Sequence, residues 1–301
     1  MADLHVNRID EYPETGTLSL VDSITMHSGG CAVNVAIDLA KMGIDARLCA
    51  PLGNDIFGQF LKAELDRHRI DRANLITSDE DATSTSIVLI NEAGERSFIH
   101  RTGINATFRK DRIEPSFLDD LDILLVTGVF LMDAFDRYDL ALYLKTAKSR
   151  GIYTVVDTAW DPKDEWYSLI KDALPYIDLF MPSIDEAQNI TGRTTPEDCS
   201  RWLRSKGAHD IVIKLGKKGS FALTGDQSYY KKPFLVENPV DTTGAGDAFV
   251  SGVIAGLSQS MDLEEAIILG NALGSYAVEA EGASSNIPSF AGLKKRVKGY
   301  E

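Results

Sequence analysis

The hydrophobic pattern of the chain changes near residue 110. Beyond that point, short apolar runs alternate with longer segments in which apolar residues recur every three or four positions. The short runs predict buried strands, and the longer segments predict amphipathic helices. We expect strands at 122–127, 153–157, 177–181 and 210–215, and helices at 139–150, 184–191, 196–206, 246–257, 262–280 and 289–298. Short strands with helices between them are typical of an α/β fold whose mainly parallel sheet is covered by helices on both faces.

The chain before residue 103 contains segments that do not fit inside such a sheet. Residues 3–28 read as two short strands with a loop between them. The runs at 83–90 and 96–101 flank Asn-Glu-Ala-Gly-Glu, which is a good hairpin signal. Between these regions we expect a helix over 32–42 ended by Gly43, a strand at 48–53 and a helix at 56–69.

The hairpin-like segments therefore predict a small β-lid built from two separated pieces of chain. We assign the lid to residues 1–26 and 83–102, and the α/β core to residues 27–82 and 103–301. The pattern contains no internal repeat, linker or low-complexity segment that would divide the core further.

Composition narrows the class of protein. The chain has 301 residues, of which 44% are hydrophobic, and a formal net charge of −14. Such an acidic chain argues against nucleic acid or an anionic membrane as a partner. The three scattered cysteines form no disulfide framework, and no apolar run approaches the ~20 residues of a membrane span. We expect a cytoplasmic protein with small-molecule partners.

The chemistry concentrates in the stretch from Val240 to Phe249. Gly244, Ala245 and Gly246 stand at the start of a predicted buried helix, where unpaired N–H groups and the helix dipole favour an anion such as phosphate. Asp247 follows in the first turn, where it suits a base that removes a proton from a hydroxyl attacking that phosphate. The alternative is an ordinary glycine-rich helix start with an acidic first turn. A Walker A loop is excluded, because no Gly-Lys-Ser/Thr follows.

Two further positions suggest a polar substrate. Gly29 and Gly30 precede a helix, and Asn34 falls one turn inside it, where its amide can both donate to and accept from a polyhydroxyl ligand. The alternative is a helix start with an exposed asparagine. Arg101 ends a lid strand, and alternation from Phe98 leads us to expect that it points inward. It either grips a carboxylate or phosphate of an acidic substrate or is an ordinary surface arginine.

These motifs resemble the ribokinase-like (PfkB) family of carbohydrate kinases over most of the chain. The resemblance rests on Gly29-Gly30-Cys31-Ala32-Val33-Asn34 continuing to Gly43, and on Asp241-Thr242-Thr243-Gly244-Ala245-Gly246-Asp247-Ala248-Phe249. Shorter matches are Gly103-Ile104-Asn105-Ala106, Met181-Pro182-Ser183-Ile184-Asp185-Glu186-Ala187, Lys214-Leu215-Gly216-Lys217-Lys218-Gly219 and Gly270-Asn271-Ala272.

The resemblance implies transfer of the γ-phosphoryl group of ATP to a hydroxymethyl group of a sugar or sugar derivative. Asp247 would be the base, and the backbone of Gly244, Ala245 and Gly246 would stabilise the phosphoryl group. The sugar would be held by Asp3, Gly29, Gly30, Asn34 and Asn105, with Arg101 as a further candidate. ATP would be bound by Ser183, Glu186, Lys214, Gly216, Gly219 and Asn271.

The resemblance also implies metal ions and a partner. Glu186 would act through Mg²⁺ and its waters, and an acidic protein that handles phosphates needs such a cation. Asp241 and Thr243 match positions that bind a monovalent cation such as K⁺ in many members. Lids of this kind often pair between subunits, so we expect a homodimer formed through the lid.

The chain departs from the family pattern at three positions. The family places a buried strand ahead of the residue that matches Asp3, whereas only two residues precede Asp3 here. Ser183 stands where asparagine is usual, and Gly128 stands where ribokinases carry a glutamate to the sugar, which counts against ribose.

These departures leave alternatives open. A nucleoside kinase of the same fold would need an apolar lid surface, for which Leu4, Val6, Phe98 and Ile99 are available. A catalytically silent sugar- or nucleotide-binding protein is the other alternative. We also expect the start of the helix to lower the pKa of Asp247.

Overall fold

The computed structural model describes residues 1–9, 11–92 and 96–300. Its strands are β1 (Ala2–Asn7), β2 (Ser23–Ser28), β3 (Ala50–Gly53), β4 (Leu75–Ser78), β5 (Thr85–Ile90), β6 (Arg96–Arg101), β7 (Ile123–Val129), β8 (Tyr153–Thr158), β9 (Leu179–Phe180), β10 (Asp210–Lys214), β11 (Ser220–Thr224) and β12 (Gln227–Lys231). Its α-helices are α1 (Cys31–Met42), α2 (Ile56–Arg67), α3 (Asp133–Tyr138), α4 (Leu140–Ser149), α5 (Tyr167–Ile170), α6 (Ile184–Thr191), α7 (Pro196–Ser205), α8 (Ala245–Ser258), α9 (Leu263–Ala277) and α10 (Phe290–Val297). Short 3₁₀ helices lie at Gly103–Ala106, Lys110–Arg112, Pro115–Leu118, Leu174–Tyr176 and Gly216–Lys218.

Six strands form a large sheet in the order β12-β11-β10-β9-β8-β7. The four strands from β7 to β10 are parallel, and β11 and β12 extend the sheet as an antiparallel edge. Consecutive residues of its strands are buried on opposite faces. Val155 and Leu179 pack in one hydrophobic cluster with α8 and α9, whereas Val156 and Phe180 pack in another with α4 and α7. The prediction of a mainly parallel sheet with helices on both faces is confirmed.

A second, small sheet has the order β2-β1-β5-β6. Because side chains alternate along each strand, paired registers define two faces. We call the face that carries Asp3 and His5 the inner face, and the face that carries Leu4 and Val6 the outer face. Asp3 and His5 are buried, which places the inner face against the rest of the molecule.

Strands β3 and β4 form a separate two-stranded parallel sheet. In the described residues, β3 pairs only with β4 and β7 pairs only with β8, so each presents an unpaired edge. A cavity of about 630 Å³ is lined by residues of β3, β7 and α1 and by Met1. None of the helices in the described part of the chain is both long and apolar enough to cross a lipid bilayer.

Most predicted elements are present with ends shifted by a few residues. Three expectations need correction. The strand expected at 177–181 is only Leu179–Phe180, and the strand expected at 48–53 begins at Ala50. The sequence pattern also missed the strands β4, β11 and β12 and the short helices α3 and α5. The predicted hairpin of β5 and β6 is confirmed, although residues 93–95 of its loop lie outside the described residues.

Candidate active site

The start of α8 is a glycine-capped helix N-terminus whose free backbone donors suit an anion. Gly244 caps it in the left-handed conformation (φ 74°), and a Cβ atom there would lie 2.4 Å from Cβ of Ala283, so only glycine fits. The first backbone bond from this helix start runs from the N–H of Ala248 to the carbonyl of Gly244 (2.8 Å). The N–H groups of residues 245–247 precede that bond and are the helix's orphan donors. The N–H of Ala245 makes a longer turn contact to the Thr242 carbonyl (3.3 Å).

Asp247 lies in this first turn and is oriented by α1. Nδ2 of Asn34 donates to Oδ2 of Asp247 at 2.7 Å, and the thiol of Cys31 is a second hydrogen-bonding neighbour. Burial raises the pKa of Asp247, although Asn34 and the charge of Lys214 act in the opposite direction. The expectation that the helix start lowers this pKa was wrong, because loss of solvent outweighs the stabilising neighbours. A raised pKa makes the carboxylate a better base.

Lys214 brings a positive charge to the same place from the end of β10. Its ammonium group donates to Oδ1 of Asp157 at the end of β8, and Oγ1 of Thr127 donates to Oδ2 of the same carboxylate at 2.9 Å. A Cβ atom added to Gly246 would lie 3.6 Å from Nζ of Lys214. Burial disfavours the charge of Lys214, but the carboxylates of Asp157 and Glu186 outweigh burial and raise its pKa. The ammonium group is therefore charged beside the anion-binding end of α8.

Glu186 belongs to a capping box at the start of α6. The N–H of Ser183 donates to Oε2 of Glu186 at 2.7 Å, and the Glu186 N–H donates back to Oγ of Ser183 at 3.3 Å. Oγ1 of Thr158 also donates to Oε2, at 2.9 Å. The backbone of Ser183 lies next to Lys214, with which it forms an isolated bridge. The box therefore fixes a buried carboxylate next to the Lys214–Asp157 pair.

Two unpaired acceptors lie near Asp247. Oδ1 of Asp3 and Oδ1 of Asn34 are buried without a hydrogen-bond partner. A Cβ atom at Gly29 would lie 2.0 Å from Oδ2 of Asp3, so Gly29 makes room for the carboxylate. The pKa of Asp3 is raised to about 6, because burial and the nearby charge of Asp247 together outweigh the lowering effect of the amino terminus. Buried acceptors without partners favour a ligand that brings O–H donors.

Gly30, Asn105 and Gly128 are three further positions to which the sequence motifs point. Gly30 has φ 92°, and a Cβ atom there would lie 3.2 Å from the backbone nitrogen of Met1. Asn105 lines the cavity that β3 and β7 border. Gly128 has φ 76°, and its added Cβ atom would lie 3.9 Å from Sγ of Cys31, so a side chain at that position would approach the site.

Of the predicted ATP-binding positions, Gly216 lies beside open space, whereas Gly219 and Asn271 make contacts within the protein. Gly216 has φ 56° with no atom within 4 Å of an added Cβ atom. Gly219 instead allows its turn to pack closely against β12, because a Cβ atom there would lie 2.0 Å from the carbonyl oxygen of Lys231. Asn271 is buried, and its amide nitrogen donates to Oγ of Ser220 (3.0 Å) and to the Lys232 carbonyl (3.3 Å). It therefore joins α9 to β11 within the protein.

Asp241 is buried in the loop before α8. Its Oδ1 accepts from the Thr243 N–H at 2.6 Å, and its Oδ2 accepts from the Gly282 N–H at 2.9 Å. The guanidinium of Arg96 also lies on Oδ1, at 2.8 Å. Arg96 comes from β6 of the small sheet, so one ion pair joins that sheet to the loop that leads into α8.

Arg101 is not brought to the site. The strand register places it on the outer face with Ile99, and it is exposed. The expectation that Arg101 points inward therefore needs correction, because alternation along β6 puts Arg96, Phe98 and His100 on the inner face instead. The arginine of this strand that reaches a buried partner is Arg96.

The structure also brings together histidines that are separated along the chain. Ligand atoms of His5, His27 and Glu281 lie within 4.8 Å of one another, and the two imidazole rings are 4.3 Å apart. Burial and the neighbouring His27 lower the pKa of His5 to about 4. Sequence spacing did not reveal this cluster, because β1 and β2 meet only through the sheet register.

A model of the pfkB family of carbohydrate kinases matches residues 2–289. The chain belongs to this family. Curated relatives include the 2-dehydro-3-deoxygluconokinase of Bacillus subtilis, 27% identical over 92% of this chain and 88% of that protein, and the ribokinase of Staphylococcus aureus, 27% identical over 93% and 91%.

Solved structures confirm the ribokinase-like fold. The ribokinase of Thermotoga maritima superposes with a TM-score of 0.84 at 24% identity and covers 99% of this chain and 96% of its own. The Arabidopsis thaliana ribokinase, solved with ribose and ATP, has a TM-score of 0.84 at 22% identity with the same coverage. The family model and the curated relatives identify the chain as a carbohydrate kinase, as the two glycine motifs predicted.

Within this carbohydrate kinase, sequence reasoning missed the Asp157–Lys214 ion pair. The motifs place Lys214 in a nucleotide loop and give Asp157 no role. The only sequence signal for this pair is that both residues end predicted parallel strands, because ligands bind at that edge of such sheets. That signal does not say which side chains meet across the sheet. The pairing became visible only with the strand order, in which β9 separates β8 from β10.

Proposed function

We propose that this carbohydrate kinase transfers the γ-phosphoryl group of ATP to a hydroxymethyl group of a sugar or sugar derivative, with Asp247 as the base. The observation that carries the proposal is the position of Asp247. Its carboxylate lies in the first turn of α8, is oriented by Asn34, and has the charged Lys214 nearby. A base, an anion-binding helix end and a fixed cation thus converge on one spot, which suits phosphoryl transfer.

The base step needs little from the protein beyond position. The sugar hydroxyl attacks the γ-phosphorus, the bond from phosphorus to the bridging oxygen of ADP breaks, and the hydroxyl proton passes to the Asp247 carboxylate. The amide of Asn34 donates to Oδ2 and so fixes the orientation of the carboxylate that accepts the proton. Burial raises the pKa of Asp247, which strengthens the carboxylate as a general base.

The transferring phosphoryl group is stabilised by donors that are already in place. We assign this role to the backbone N–H groups of residues 245–247, held at the start of α8 by the glycine turn at Gly244. Lys214 lies beside Gly246 and supplies a charge to the same oxygen atoms. Donors fixed before the reaction act without reorganisation, and each contributes roughly 10²–10³ in rate.

The sugar is held by acceptors that lack partners within the protein. Oδ1 of Asp3 and Oδ1 of Asn34 are buried, unpaired and close to Asp247. Sugar hydroxyls are donors, so binding satisfies both atoms and places a hydroxyl near the base. Gly29 and Gly30 keep this space free of side chains, and Gly128 leaves room where ribokinases carry a glutamate, which favours a sugar other than ribose.

The residues present fit a Mg²⁺ ion brought with ATP. Glu186 places a buried carboxylate next to the Lys214–Asp157 pair, at the end of the site where the phosphates would lie. Carboxylate oxygens are preferred Mg²⁺ ligands, often through water. Bound there, the ion would neutralise charge on the phosphates. Glu186, fixed by Ser183 and Thr158, would hold its waters.

The nucleotide end of the site extends along the loop after β10. Gly216 leaves open space there, and Gly219 and Asn271 shape the loop and its support rather than reaching outward. We propose that ATP lies over Gly216 with its phosphates directed towards Lys214 and α8. The protein is proposed to work in the cytoplasm.

The small sheet is proposed to be a lid and a dimer interface. Its inner face covers the sugar site, and its outer face carries Leu4, Val6, Ile24 and Ile99, of which Ile24 and Ile99 are 65% and 56% exposed. An exposed apolar sheet face of this kind favours pairing with a second copy. Sedimentation equilibrium of the wild type and Ile99→Asp tests the dimer, and a wild-type monomer would contradict it.

ADP release from Mg-ATP, measured across a panel of substrates, tests the proposed function. The panel holds ketoses, aldoses, sugar acids, sugar phosphates and nucleosides, with Asp247→Asn as the blank. We expect turnover with a sugar that disappears in the blank. Turnover with nucleosides alone would replace the proposal by a nucleoside kinase; of the apolar candidates for such a site, only Phe98 lies on the inner face.

A further inference from the structure

Asp241 is a buried carboxylate whose oxygens already have partners. Its side chain is 1% exposed. Backbone N–H groups of Thr243 and Gly282 donate to its two oxygens at 2.6 and 2.9 Å. The guanidinium of Arg96, itself 13% exposed, lies 2.8 Å from Oδ1. The negative charge of this carboxylate is therefore neutralised by a residue of the chain.

This arrangement does not fit the monovalent cation that the family resemblance implies at Asp241 and Thr243. A K⁺ ion coordinated by Oδ1 would share that oxygen with a guanidinium group, and the two positive charges would repel each other in a site with little solvent. The guanidinium group is a permanent cation, so it occupies this place as a fixed positive charge. One oxygen that could coordinate the implied cation does remain, because Oγ1 of Thr243 is buried without a hydrogen-bond partner.

We propose that the Arg96 guanidinium takes the place of the monovalent cation, so that this kinase carries its activating cation on the small sheet and works without K⁺. The inference rests on the proposed function. Arg96 is a positioning residue, since it reaches the site through Asp241 and touches neither the phosphoryl group nor the sugar.

The contacts explain how a charge at Asp241 affects the start of α8. Asp241 holds Thr243, which directly precedes Gly244, and it holds Gly282, which directly precedes Ala283. Ala283 is the residue against which Gly244 packs. The carboxylate therefore pins both chain segments that shape the anion-binding turn. Without a cation at Oδ1, a buried negative charge would lie next to a site for anionic phosphates.

The small-sheet origin of Arg96 adds a second consequence. Arg96 lies at the first residue of β6 on the inner face, so its ion pair forms only when the small sheet lies over the core. A free K⁺ ion would stabilise the turn in any position of that sheet. Arg96 instead couples the closed position to an ordered anion-binding turn, so that phosphoryl transfer to water is disfavoured while the sheet is away.

The test compares Arg96→Ala with Arg8→Ala in buffers whose cation is tetramethylammonium, with and without added K⁺. Arg8 is a matched control, because it also belongs to the small-sheet region and pairs with an aspartate, Asp22, but in an exposed ion pair. The readouts are the sugar-dependent rate of ADP release and the thermal unfolding midpoint of the protein alone.

We expect K⁺ to change neither readout for the wild type or Arg8→Ala. Arg96→Ala is expected to lose about tenfold or more in rate without K⁺ and to regain rate when K⁺ or guanidinium is added, as removal of a buried partner charge predicts. Its unfolding midpoint is expected to rise with K⁺, because the vacated site and Oγ1 of Thr243 then bind the ion.

Two results would overturn the inference. One is activation or thermal stabilisation of the wild type by K⁺, and the other is an Arg96→Ala variant that matches the wild type in the absence of K⁺. The unfolding midpoints need no turnover. A protein that phosphorylates no sugar of the panel therefore contradicts the proposed function, while the cation result is still read from the midpoints.

Discussion

Helix α1 separates two regions that differ in polarity and in filling. On one side, Asn34 donates to Asp247, and buried carboxylates, an ammonium group and backbone donors meet at the start of α8. On the other side, Val33, Ala36 and Leu39 border an apolar cavity of about 630 Å³ between the unpaired edges of β3 and β7. The first region is dense with charge pairs, and the second contains mostly unfilled apolar space.

The difference between the two regions predicts that changes in the polar region affect mainly activity, whereas changes at the cavity affect mainly stability. The charged groups of the polar region lose solvent on folding, which costs free energy. We infer that they are retained for the chemistry rather than for stability. Changes there should reduce turnover more than they reduce stability. The part of the cavity bordered by Val33, Ala36 and Leu39 is apolar, and this lining has lost packing partners. Changes there should affect unfolding and leave turnover nearly unchanged.

The largest effect is expected for Lys214→Met. This change removes the cation beside Gly246 and leaves Asp157 with Thr127 as its remaining side-chain donor. We expect kcat to fall by roughly 10³, as for loss of a fixed transition-state donor. The unfolding free energy should fall by about 3 kcal/mol, because Asp157 loses its buried counter-charge. Steady-state kinetics and urea unfolding measure the two losses.

Lys217→Met is the control for Lys214→Met, since Lys217 lies exposed in the adjoining loop. The double variant Lys214→Met with Asp157→Asn should recover stability without recovering kcat. Recovery of both quantities together would show that Lys214 acts only through folding.

A smaller effect, on stability alone, is expected at Asp38. This α1 residue is fully buried; its Oδ2 accepts from Ser251 at 3.0 Å, and its Oδ1 has no partner. Burial raises the pKa of Asp38 to about 7. Because the folded pKa exceeds the unfolded one, its favourable contribution is complete below the unfolded pKa and is lost as the pH rises through the folded value.

Asp38→Asn is therefore expected to raise the unfolding free energy by roughly 2–4 kcal/mol near pH 8 and to leave it almost unchanged near pH 4. Chemical unfolding at both pH values measures this, with the exposed Asp45→Asn as control. An equal change at both pH values would mean that the carboxyl group does not titrate in this range.

The smallest effect is expected when the cavity is filled. Met1 lines the cavity, and burial lowers the pKa of its amino group, so a charged terminus there is unfavourable. A short apolar segment added ahead of Met1 would move that charge away and cover the edges of β3 and β7. We expect the unfolding midpoint to rise by a few degrees, at about 2–4 °C per kcal/mol, with turnover little changed.

A polar segment of the same length is the control for this extension. It moves the terminal charge equally but cannot bury apolar area. Equal midpoints for the two extensions would indicate that the cavity does not accept a chain segment.

The sequence pattern predicted the fold well where periodicity was strong. α6 matches its predicted ends, and α8 and α9 were expected within a few residues. The edge strands β11 and β12 were missed because they are short and lie beyond the strand–helix alternation. The position of the cavity is set by which strand edges face each other in the fold, and no local sequence pattern contains that information.

At the site, local motifs predicted the groups that are close in the chain. Gly244 and Asp247 share one turn, so their spacing carried the information. The partners contributed by distant elements were not predictable in the same way. Arg96 was overlooked and Arg101 preferred because the face of β6 is set by its register with β5, which the residues of β6 alone do not reveal.

The most direct test of Asp247 as the base measures turnover and ATP binding in the same variant. Asp247→Asn keeps the shape of the side chain and removes its basicity, and Asp185→Asn, in the exposed first turn of α6, is the matched control. With Mg-ATP and a sugar that the wild type accepts, we expect Asp247→Asn to lose roughly 10²–10⁴ in kcat. Calorimetry should find ATP binding close to that of the wild type. A variant that keeps wild-type turnover while binding ATP normally would show that Asp247 is not the base.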